Sequence, residues 1–168
     1  MANESTYRLP ELDGAGAATL SRVLGERRTA RSFSPRPLSL TQVARLLWAA
    51  QGVSSSDGYR TAPSAGALYP LELQLVAGAV DGLPAGSYRY SPVSHGLEAM
   101  VPGDLRRAVA RAALNQDWIA QAPAAVIVSA VDSRTTLKYG VRGIRYVHLE
   151  AGHASQNLLL QAVALGLS

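Results

Sequence analysis

The sequence predicts an α+β domain in which one sheet is wrapped by helices. Residues 141–165 repeat apolar side chains at spacings of three and four without a proline, which is typical of a long helix. Four shorter stretches alternate in polarity or are rich in β-branched residues, as strands are. A length of 168 residues and a hydrophobic content of 48% suit a single domain with a substantial core.

The pattern predicts helices and strands in alternating groups along the chain. The helices are expected at residues 17–26, 40–50, 104–114 and 141–165. The strands are expected at residues 71–77, 87–91, 96–100 and 124–131. Ser39 and Asp104 are residue types that favour the N-caps of the second and third helices. The last strand is apolar and β-branched, which indicates a buried strand.

Polar or irregular segments separate these elements. Residues 1–14 are expected to form a loose arm before a single domain that spans residues 15–168. Residues 132–137 are expected to be a loop. The first helix is expected to turn three apolar side chains inward, those of Leu20, Val23 and Leu24.

The long helix organises the predicted domain. Its repeating residues are Val141, Ile144, His148, Ala151, Ser155, Leu158, Ala162 and Leu165. Beyond Asn157 only Gln161 is clearly polar, which indicates a buried helix. The small side chains that would let another helix come close are those of Ala151, Gly152, Ala154 and Ser155. We therefore expect a central helix that is shared with a second copy of the chain in a homodimer.

Composition argues against several classes of protein. The chain has no cysteine, which excludes disulfides and thiolate metal sites. Its net charge of +4 comes from scattered arginines rather than from one basic face, which disfavours nucleic-acid binding. The start lacks the pattern of a secretory signal, and no apolar stretch is long enough to span a membrane. A cytoplasmic protein without membrane partners is expected.

An arginine cluster follows the first predicted helix. Arg27, Arg28 and Arg31 lie within five residues, just before a loop that is broken by prolines. They can form a solvated patch, or an anion site in which planar guanidinium groups bind phosphate oxygens in pairs. The cluster alone favours neither interpretation.

A segment of small residues stands at Pro63, Ser64, Ala65 and Gly66. Its hydroxyl and free backbone N–H groups suit the close approach of a ligand backbone or ring. An ordinary turn has the same composition, so both interpretations stay open.

Lys138, the only lysine of the chain, stands directly before Tyr139 near the start of the long helix. The two are either an acid/base pair or a surface lysine beside a packing tyrosine. His148, Glu150 and His153 suggest a metal site, but histidine ligands on a helix lie four residues apart and these are five apart. No metal site is therefore expected.

Together these segments resemble the nitroreductase-like flavoprotein superfamily, and in particular its SagB-type branch of thiazoline and oxazoline oxidases. The resemblance is carried by residues 27–33, 46–52, 60–72, 86–90, 118–123, 138–142 and 150–158. They cover nearly everything from Arg27 onward, and their order and spacing are specific to this branch. The fold that the resemblance implies has a mainly antiparallel sheet wrapped by helices, with the long helix at a dimer interface.

The resemblance also implies that FMN binds at that dimer interface. The phosphate, the ribityl chain and the N1/O2 edge of the ring would be held by Arg27, Arg28, Thr29 and Arg31. The flavin of the partner subunit would be reached by Pro63, Ser64, Ala65 and Gly66. Gln116 would hydrogen-bond the isoalloxazine, and Lys138 and Tyr139 match a Lys-Tyr pair that is implicated in azoline oxidation.

Two features depart from the family pattern. The family continues with a glycine-rich loop, a strand and a basic segment that clasps the partner, whereas this sequence ends at Ser168, so a C-terminally short domain is expected. The long N-terminal domain with which peptide-processing members grip their substrate is also absent from this sequence.

The leading hypothesis is an FMN-dependent oxidoreductase of the SagB type. Its substrate would be an azoline-type ring in a small molecule or a modified peptide. Two alternatives stay open: an NAD(P)H-dependent reductase of nitro compounds or quinones, and a flavin-binding homologue without turnover.

Overall fold

The computed structural model describes residues 6–12 and 18–168. Its helices are α1 (Leu20–Glu26), α2 (Leu40–Gln51), α3 (Arg106–Ala112), α4 (Asp117–Gln121), α5 (Ser133–Tyr139) and α6 (Arg142–Ala164). Its strands are β1 (Thr6–Arg8), β2 (Leu71–Ala77), β3 (Gly86–Ser91), β4 (Gly96–Pro102) and β5 (Ala124–Ala130). The strands lie in the order β1-β4-β3-β2-β5 and every neighbouring pair is antiparallel, so the predicted α+β fold is confirmed.

Strand β5 forms one edge of this sheet. It pairs with β2, from Leu71 opposite Ala130 to Ala77 opposite Ala124. Its side chains are half-buried or exposed, whereas the inward side chains of β2 are buried. The prediction of a buried strand is therefore wrong, because a β-branched composition does not report whether a strand is central or at an edge.

Strand β1 forms the opposite edge. Thr6 pairs with Glu98 and Arg8 with Gly96 of β4, and the next residue, Leu9, belongs to the hydrophobic core. The prediction of a loose arm is wrong for this segment, because β4 offers it a strand to pair with and the core takes up Leu9. The remaining ends of the predicted arm, residues 1–5 and 13–14, lie outside the described residues.

Helix α1 begins at Leu20, and its predicted start at residue 17 lies outside the described residues. Thr19 is its N-cap and accepts a hydrogen bond from the backbone N–H of Arg22 at 3.4 Å. Val23 is buried, but Leu20 and Leu24 are exposed, so the predicted inward position of these two leucines is wrong. The reason is that α1 packs against α6 through a single face.

Helix α2 begins where the sequence predicts. The Ser39 hydroxyl accepts from the backbone N–H of Gln42 at 3.1 Å, and the Gln42 side chain accepts from the backbone N–H of Ser39 at 2.9 Å. This reciprocal pair is a capping box, which satisfies two N–H groups that a helix start leaves without partners. Val43 and Leu47 then enter the core beneath the sheet.

Helix α3 is shorter than the predicted helix over residues 104–114. It begins at Arg106, and the Asp104 carboxylate accepts from the backbone N–H of Arg106 at 3.1 Å without being the N-cap. It ends at Ala112, because Leu114 and Asn115 adopt left-handed φ values of 59° and 58°.

Helix α5 replaces the loop that is predicted at residues 132–137, so that prediction is wrong. Thr135 is 1% exposed, and a Cβ atom added to Gly143 of α6 would lie 3.0 Å from the backbone of Thr136. The missing side chain of Gly143 therefore lets α5 pack closely on α6. This tertiary contact outweighs the low helix propensity of threonine.

Helix α6 confirms the predicted long helix, but only part of its apolar repeat is buried. The buried residues of the helix are Gly143, Val147, Glu150, Ala154 and Ala162. Val141 and Ile144, which belong to the predicted repeat, are exposed, whereas Ala162 of the same repeat is buried. The buried face also contains a glycine and a glutamate, which an apolar repeat does not mark. Leu149 and Leu159 also stay exposed, so this chain does not bury the helix all round.

Candidate functional site

Two segments that are far apart in the sequence meet at Gly66. This glycine lies in a short 3-10 turn, Ala65–Ala67, with a φ of 65°. A Cβ atom added to it would lie 2.8 Å from the hydroxyl oxygen of Tyr139 and 3.0 Å from Nζ of Lys138. The predicted turn and the predicted lysine–tyrosine pair therefore lie side by side within a single chain.

The turn is held in a strained conformation by the residues around it. Ala67 and Tyr69 have left-handed φ values of 54° and 47°, which cost energy for residues other than glycine. The Ser64 hydroxyl accepts from the backbone N–H of Tyr69 at 2.9 Å, and the Tyr69 hydroxyl accepts from the backbone N–H of Arg60 at 3.1 Å. The Arg60 guanidinium also lies 4.3 Å from the centre of the Tyr69 ring. These contacts fix the backbone that Gly66 belongs to.

Helix α5 presents the lysine–tyrosine pair to this turn. Arg134 of α5 donates to the carbonyl oxygen of Tyr69 at 3.2 Å and forms an ion pair of 2.6 Å with Glu72. The ring of Tyr139 meets the ring of Tyr146 edge to face, with 5.2 Å between the ring centres. Both ends of α5 are thereby tied down, one to the start of β2 and the other to α6.

The pair is not enclosed by this chain. Lys138 is exposed and its Nζ lies 5.4 Å from the centre of the Tyr139 ring, while Tyr139 itself is half-buried. Pro63 and Gly66 are exposed as well. The surface around the pair is therefore open to a ligand or to a second subunit.

A buried polar network lies beneath the turn. Glu150 of α6 is 2% exposed and accepts from Nε2 of Gln51 at 3.3 Å, and Oε1 of Gln51 accepts from Nη1 of Arg60 at 3.0 Å. Burial raises the pKa of Glu150, and this rise is opposed by hydrogen bonding from the side chains of Ser64 and Gln51 and by the charges of Arg60 and His153. Burial likewise lowers the pKa of Arg60.

The sequence interpretation missed this network. Glu150 is there considered only as a metal ligand beside His148 and His153. Glu150 lies at helical spacing from Gly143, Val147 and Ala154, the other buried residues around it on α6. A carboxylate on the buried face of a helix needs polar partners, and this is the signal that could have identified the network. As far as the structure describes the chain, no three His, Cys, Asp or Glu side chains are placed to hold a metal ion.

The arginine cluster directly follows α1. Arg27 is half-buried and follows the last turn of the helix, while Thr29 and Arg31 are exposed. Arg28 donates to the carbonyl oxygens of Gly25 and Arg27, each at 2.8 Å, so part of its donor capacity caps the helix. Among residues 6–12 and 18–168, none of the three arginines forms an ion pair with an acidic side chain.

The structure does not bring the arginine cluster to the Gly66 turn. Within the described part of the chain, no hydrogen bond, ion pair or ring contact joins the two. Gln116 precedes α4, and its Nε2 donates to the carbonyl oxygen of Ala113 at 2.9 Å. The segments that follow these residues meet, since the ring of Phe33 lies 6.0 Å from that of Trp118.

An apolar cavity of about 670 Å³ lies elsewhere, between α2, α6 and β5. Leu46, Val126 and Leu158 contribute to its walls, and Phe33 lies at its rim against Trp118. None of the predicted site residues lines it. None of the described helices is long and apolar enough to cross a membrane.

The fold gives the first indication of the class of protein: an antiparallel sheet with a long helix packed beneath it. Residues 24–168 match the nitroreductase family, and the chain belongs to that family. Its class of activity is accordingly that of an oxidoreductase.

Individual relatives agree with this assignment. A provisionally assigned nitroreductase of Methanocaldococcus jannaschii is 40% identical over 167 residues, which are 99% of this chain and 83% of that protein. The crystal structure of a similarly described protein from Ralstonia eutropha superposes with a TM-score of 0.83 at 32% identity, over 99% of this chain and 75% of that one.

A third solved structure shares the fold at a lower sequence identity. The microcin synthetase McbBCD complex of Escherichia coli contains a chain with a TM-score of 0.68 at 24% identity, over 98% of this chain and 65% of that one. At that identity the likeness is one of fold alone.

Proposed function

We propose that this chain is an FMN-dependent oxidoreductase of the SagB type that oxidises an azoline-type ring or a related small substrate. The observation that carries the proposal is the meeting of Lys138 and Tyr139 with the bare backbone of Gly66. Membership of the nitroreductase family supports the oxidoreductase chemistry. The residue pattern of the SagB-type branch supports the choice of substrate class.

The side chains present fit an anionic flat cofactor such as FMN. Arg27 and Arg31 have guanidinium groups that no described acidic residue neutralises, so a phosphate can pair with them. Arg28 and Thr29 add donors beside them. At the turn, the missing side chain of Gly66 leaves room for a ring to lie on the backbone. Pro63, Ser64 and Ala65 would complete that contact, and Gln116 would hydrogen-bond the ring.

A homodimer would bring these surfaces together. Within the described residues of one chain, no contact joins the arginine cluster to the Gly66 turn, and Pro63 and Gly66 of the turn segment are exposed. The outer face of α6 also exposes Ile144, Leu149 and Leu159, which a second copy can bury. We propose that the arginines of one subunit and the turn of the other line each cofactor site.

The proposed reaction removes two hydrogens from neighbouring carbons of the azoline ring. One leaves as a hydride with the electron pair of its C–H bond. The other leaves as a proton, and the electron pair of that second C–H bond forms the new ring double bond. FMN, when bound, would supply the hydride acceptor. Tyr139 Oη, or Nζ of the adjacent Lys138, would receive the proton, since both atoms face the same side of Gly66.

Reduction of a nitro compound or a quinone is the second candidate. The names of the relatives favour it, since those from M. jannaschii and R. eutropha are both described as provisional nitroreductases. The exposure of Lys138 also suits an open site over which electron donor and acceptor can exchange in turn. This activity needs no proton acceptor that is matched to one substrate.

Anaerobic reduction of the FMN-loaded protein separates these functions. Bleaching of the flavin absorbance by an azoline-containing substrate, but not by NAD(P)H, is the expected result. Bleaching by NAD(P)H, with reoxidation by a nitroaromatic or a quinone, would replace the proposal with the second candidate. A protein that binds FMN but reacts with none of these donors would be a homologue without turnover.

A further inference from the structure

We infer that Glu150 is a positioning residue that holds the Gly66 turn in place against Lys138 and Tyr139. The role of Glu150 in catalysis rests on the proposed function, whereas the effect of Glu150 on the turn can be tested without any substrate. Glu150 touches neither the turn backbone nor the lysine–tyrosine pair in the described hydrogen bonds, so it would act through other side chains.

The first line of support is the path of hydrogen bonds away from Glu150. The carboxylate accepts from Gln51 at 3.3 Å, and Gln51, which is 1% exposed, accepts in turn from Arg60 at 3.0 Å. This path joins α6 to α2 and then to the first residue of the segment that leads into the turn. The backbone N–H and the guanidinium of Arg60 both contact Tyr69, at the far end of the same segment.

The second line of support is Ser64, which directly precedes the 3-10 turn. Its side chain lies near enough to Glu150 to lower the pKa of the carboxyl group, and its oxygen also accepts from the backbone N–H of Tyr69. A single hydroxyl therefore links the buried carboxylate to the closing hydrogen bond of the loop. A change at Glu150 should therefore reach this loop at two points, at Arg60 where it begins and at Ser64 directly before the 3-10 turn.

The third line of support is the energetic cost of the carboxylate. A buried ionisable group is costly unless it is hydrogen-bonded, and an apolar side chain of similar volume would avoid that cost. The positions nearest to it on the buried face of α6 are Val147 and Ala154, which are apolar. The charged groups that act on Glu150 are Arg60, across the network, and His153, on its own helix. The carboxylate therefore serves the polar network rather than the packing of the helix.

Other hydrogen bonds hold the start of this segment without involving Glu150. Asn157 of α6 donates to the carbonyl oxygen of Thr61 at 3.2 Å, and the Thr61 hydroxyl donates to the carbonyl oxygen of Trp48 at 2.9 Å. These bonds hold the start of the segment independently of the carboxylate. Loss of Glu150 should therefore loosen residues 62–69 without unfolding the domain.

Amide hydrogen exchange in the full chain tests this inference. Glu150→Leu should speed exchange at residues 62–69 by about tenfold or more, because local opening becomes easier, while β2 and β3 keep their protection. The double variant Gln51→Glu, Glu150→Gln restores an amide paired with a carboxylate and should return exchange to near the parent rate. Thr135→Val is the matched control, since Thr135 is equally buried and its hydroxyl has no hydrogen-bond partner among the described residues.

Unchanged exchange at residues 62–69 in Glu150→Leu would overturn the inference. Should that variant fail to fold, Glu150→Gln, which keeps the size of the side chain, is measured against the same criterion. Azoline oxidation in single turnover should fall by about tenfold in the variant that loosens the turn, with recovery in the double variant. Faster exchange in a protein whose parent oxidises no azoline would keep the inference and reject only the proposed function.

Discussion

Gly66 and Tyr139 are so close that a Cβ atom on the glycine would lie 2.8 Å from the phenolic oxygen. Contacts under 3.0 Å are not made by real Cβ atoms, so any larger residue at this position must displace the tyrosine. Nζ of Lys138, 3.0 Å from the same point, would have to move as well. The glycine therefore sets the distance between the turn and the two groups that we propose to handle the proton.

Replacing Gly66 with alanine should disable the site without unfolding the chain. The added methyl group pushes against Tyr139, and alanine at a φ of 65° adds backbone strain of about 1 kcal/mol. Displacing a catalytic group by about 1 Å can lower a rate by roughly 100-fold. We expect azoline oxidation in single turnover to fall by about tenfold or more, with a small loss of thermal stability.

Gly58→Ala is the control for this prediction. Gly58 has a φ of 81°, but no atom lies within 4 Å of an added Cβ, so the variant carries the backbone strain without the clash. Equal losses of activity in the two variants would show that strain alone explains the effect, and that the contact with Tyr139 is unimportant.

Lys138→Ala and Tyr139→Phe should each leave FMN binding nearly unchanged. Each should slow azoline oxidation by about 100-fold or more, as expected for loss of a general base. Flavin bleaching in single turnover measures the step directly. Lys138→Arg, which keeps the positive charge, distinguishes a role for charge from a role in accepting the proton. Bleaching at the parent rate in both truncated variants would make the pair a surface lysine beside a packing tyrosine.

Local patterns predicted much of this fold. The capping residue Ser39 and the unbroken apolar repeat of α6 identified both major helices, and alternation identified β2, β3 and β4. These signals depend only on residues close together in the chain. Composition and resemblance also single out the segments around Gly66 and Lys138 as candidates, although they do not predict the contact between them.

The features that escaped prediction all depend on distant partners. Helix α5 owes its form to packing against Gly143, and β1 owes its form to the free edge of β4. The sequence suggests Glu150 only as a candidate metal ligand, because nothing in its neighbourhood along the chain reveals Gln51 or Arg60. The buried face of α6 includes Gly143 and Glu150 for the same reason, since it is defined by packing against α2 and α5.

Replacing Arg27 and Arg31 together with alanine should weaken FMN binding strongly. Each charged hydrogen bond to a phosphate contributes about 1.5–3 kcal/mol, so the dissociation constant should rise by about 100-fold or more. Titration of the apoprotein with FMN, followed by fluorescence, gives the constant. Arg107→Ala with Arg111→Ala removes the same charge from α3 and should change the affinity little. Equal affinities for the two double variants would place the phosphate elsewhere.

Leu149→Asp should convert the proposed homodimer into monomers. Leu149 is exposed on the outer face of α6, where a buried carboxylate would cost several kcal/mol in an interface. Light scattering at micromolar concentration measures the mass, and loss of FMN should accompany dissociation because each site would need both subunits. Val93→Asp makes the same kind of change at an exposed position between β3 and β4. A parent protein that is already monomeric at this concentration would refute the assembly.

Glu150→Gln should change how stability depends on pH. Burial raises the pKa of Glu150 in the folded chain above its ordinary value of 4.5. At pH values between these two pKa values, the folded chain keeps a proton that the unfolded chain has released.

The free energy of unfolding should therefore fall as pH rises through that window. Glutamine does not titrate, so the variant should lack this fall and gain stability relative to the parent from about pH 5 toward neutrality. Urea unfolding across this range measures the difference, in which groups common to both proteins cancel. If the free energies of unfolding of the parent and the variant changed in parallel with pH, the Glu150 carboxyl group would have the same pKa in the folded and unfolded chains. A variant that is more stable near neutrality yet oxidises azolines more slowly would show that the carboxylate serves the site at the expense of the fold.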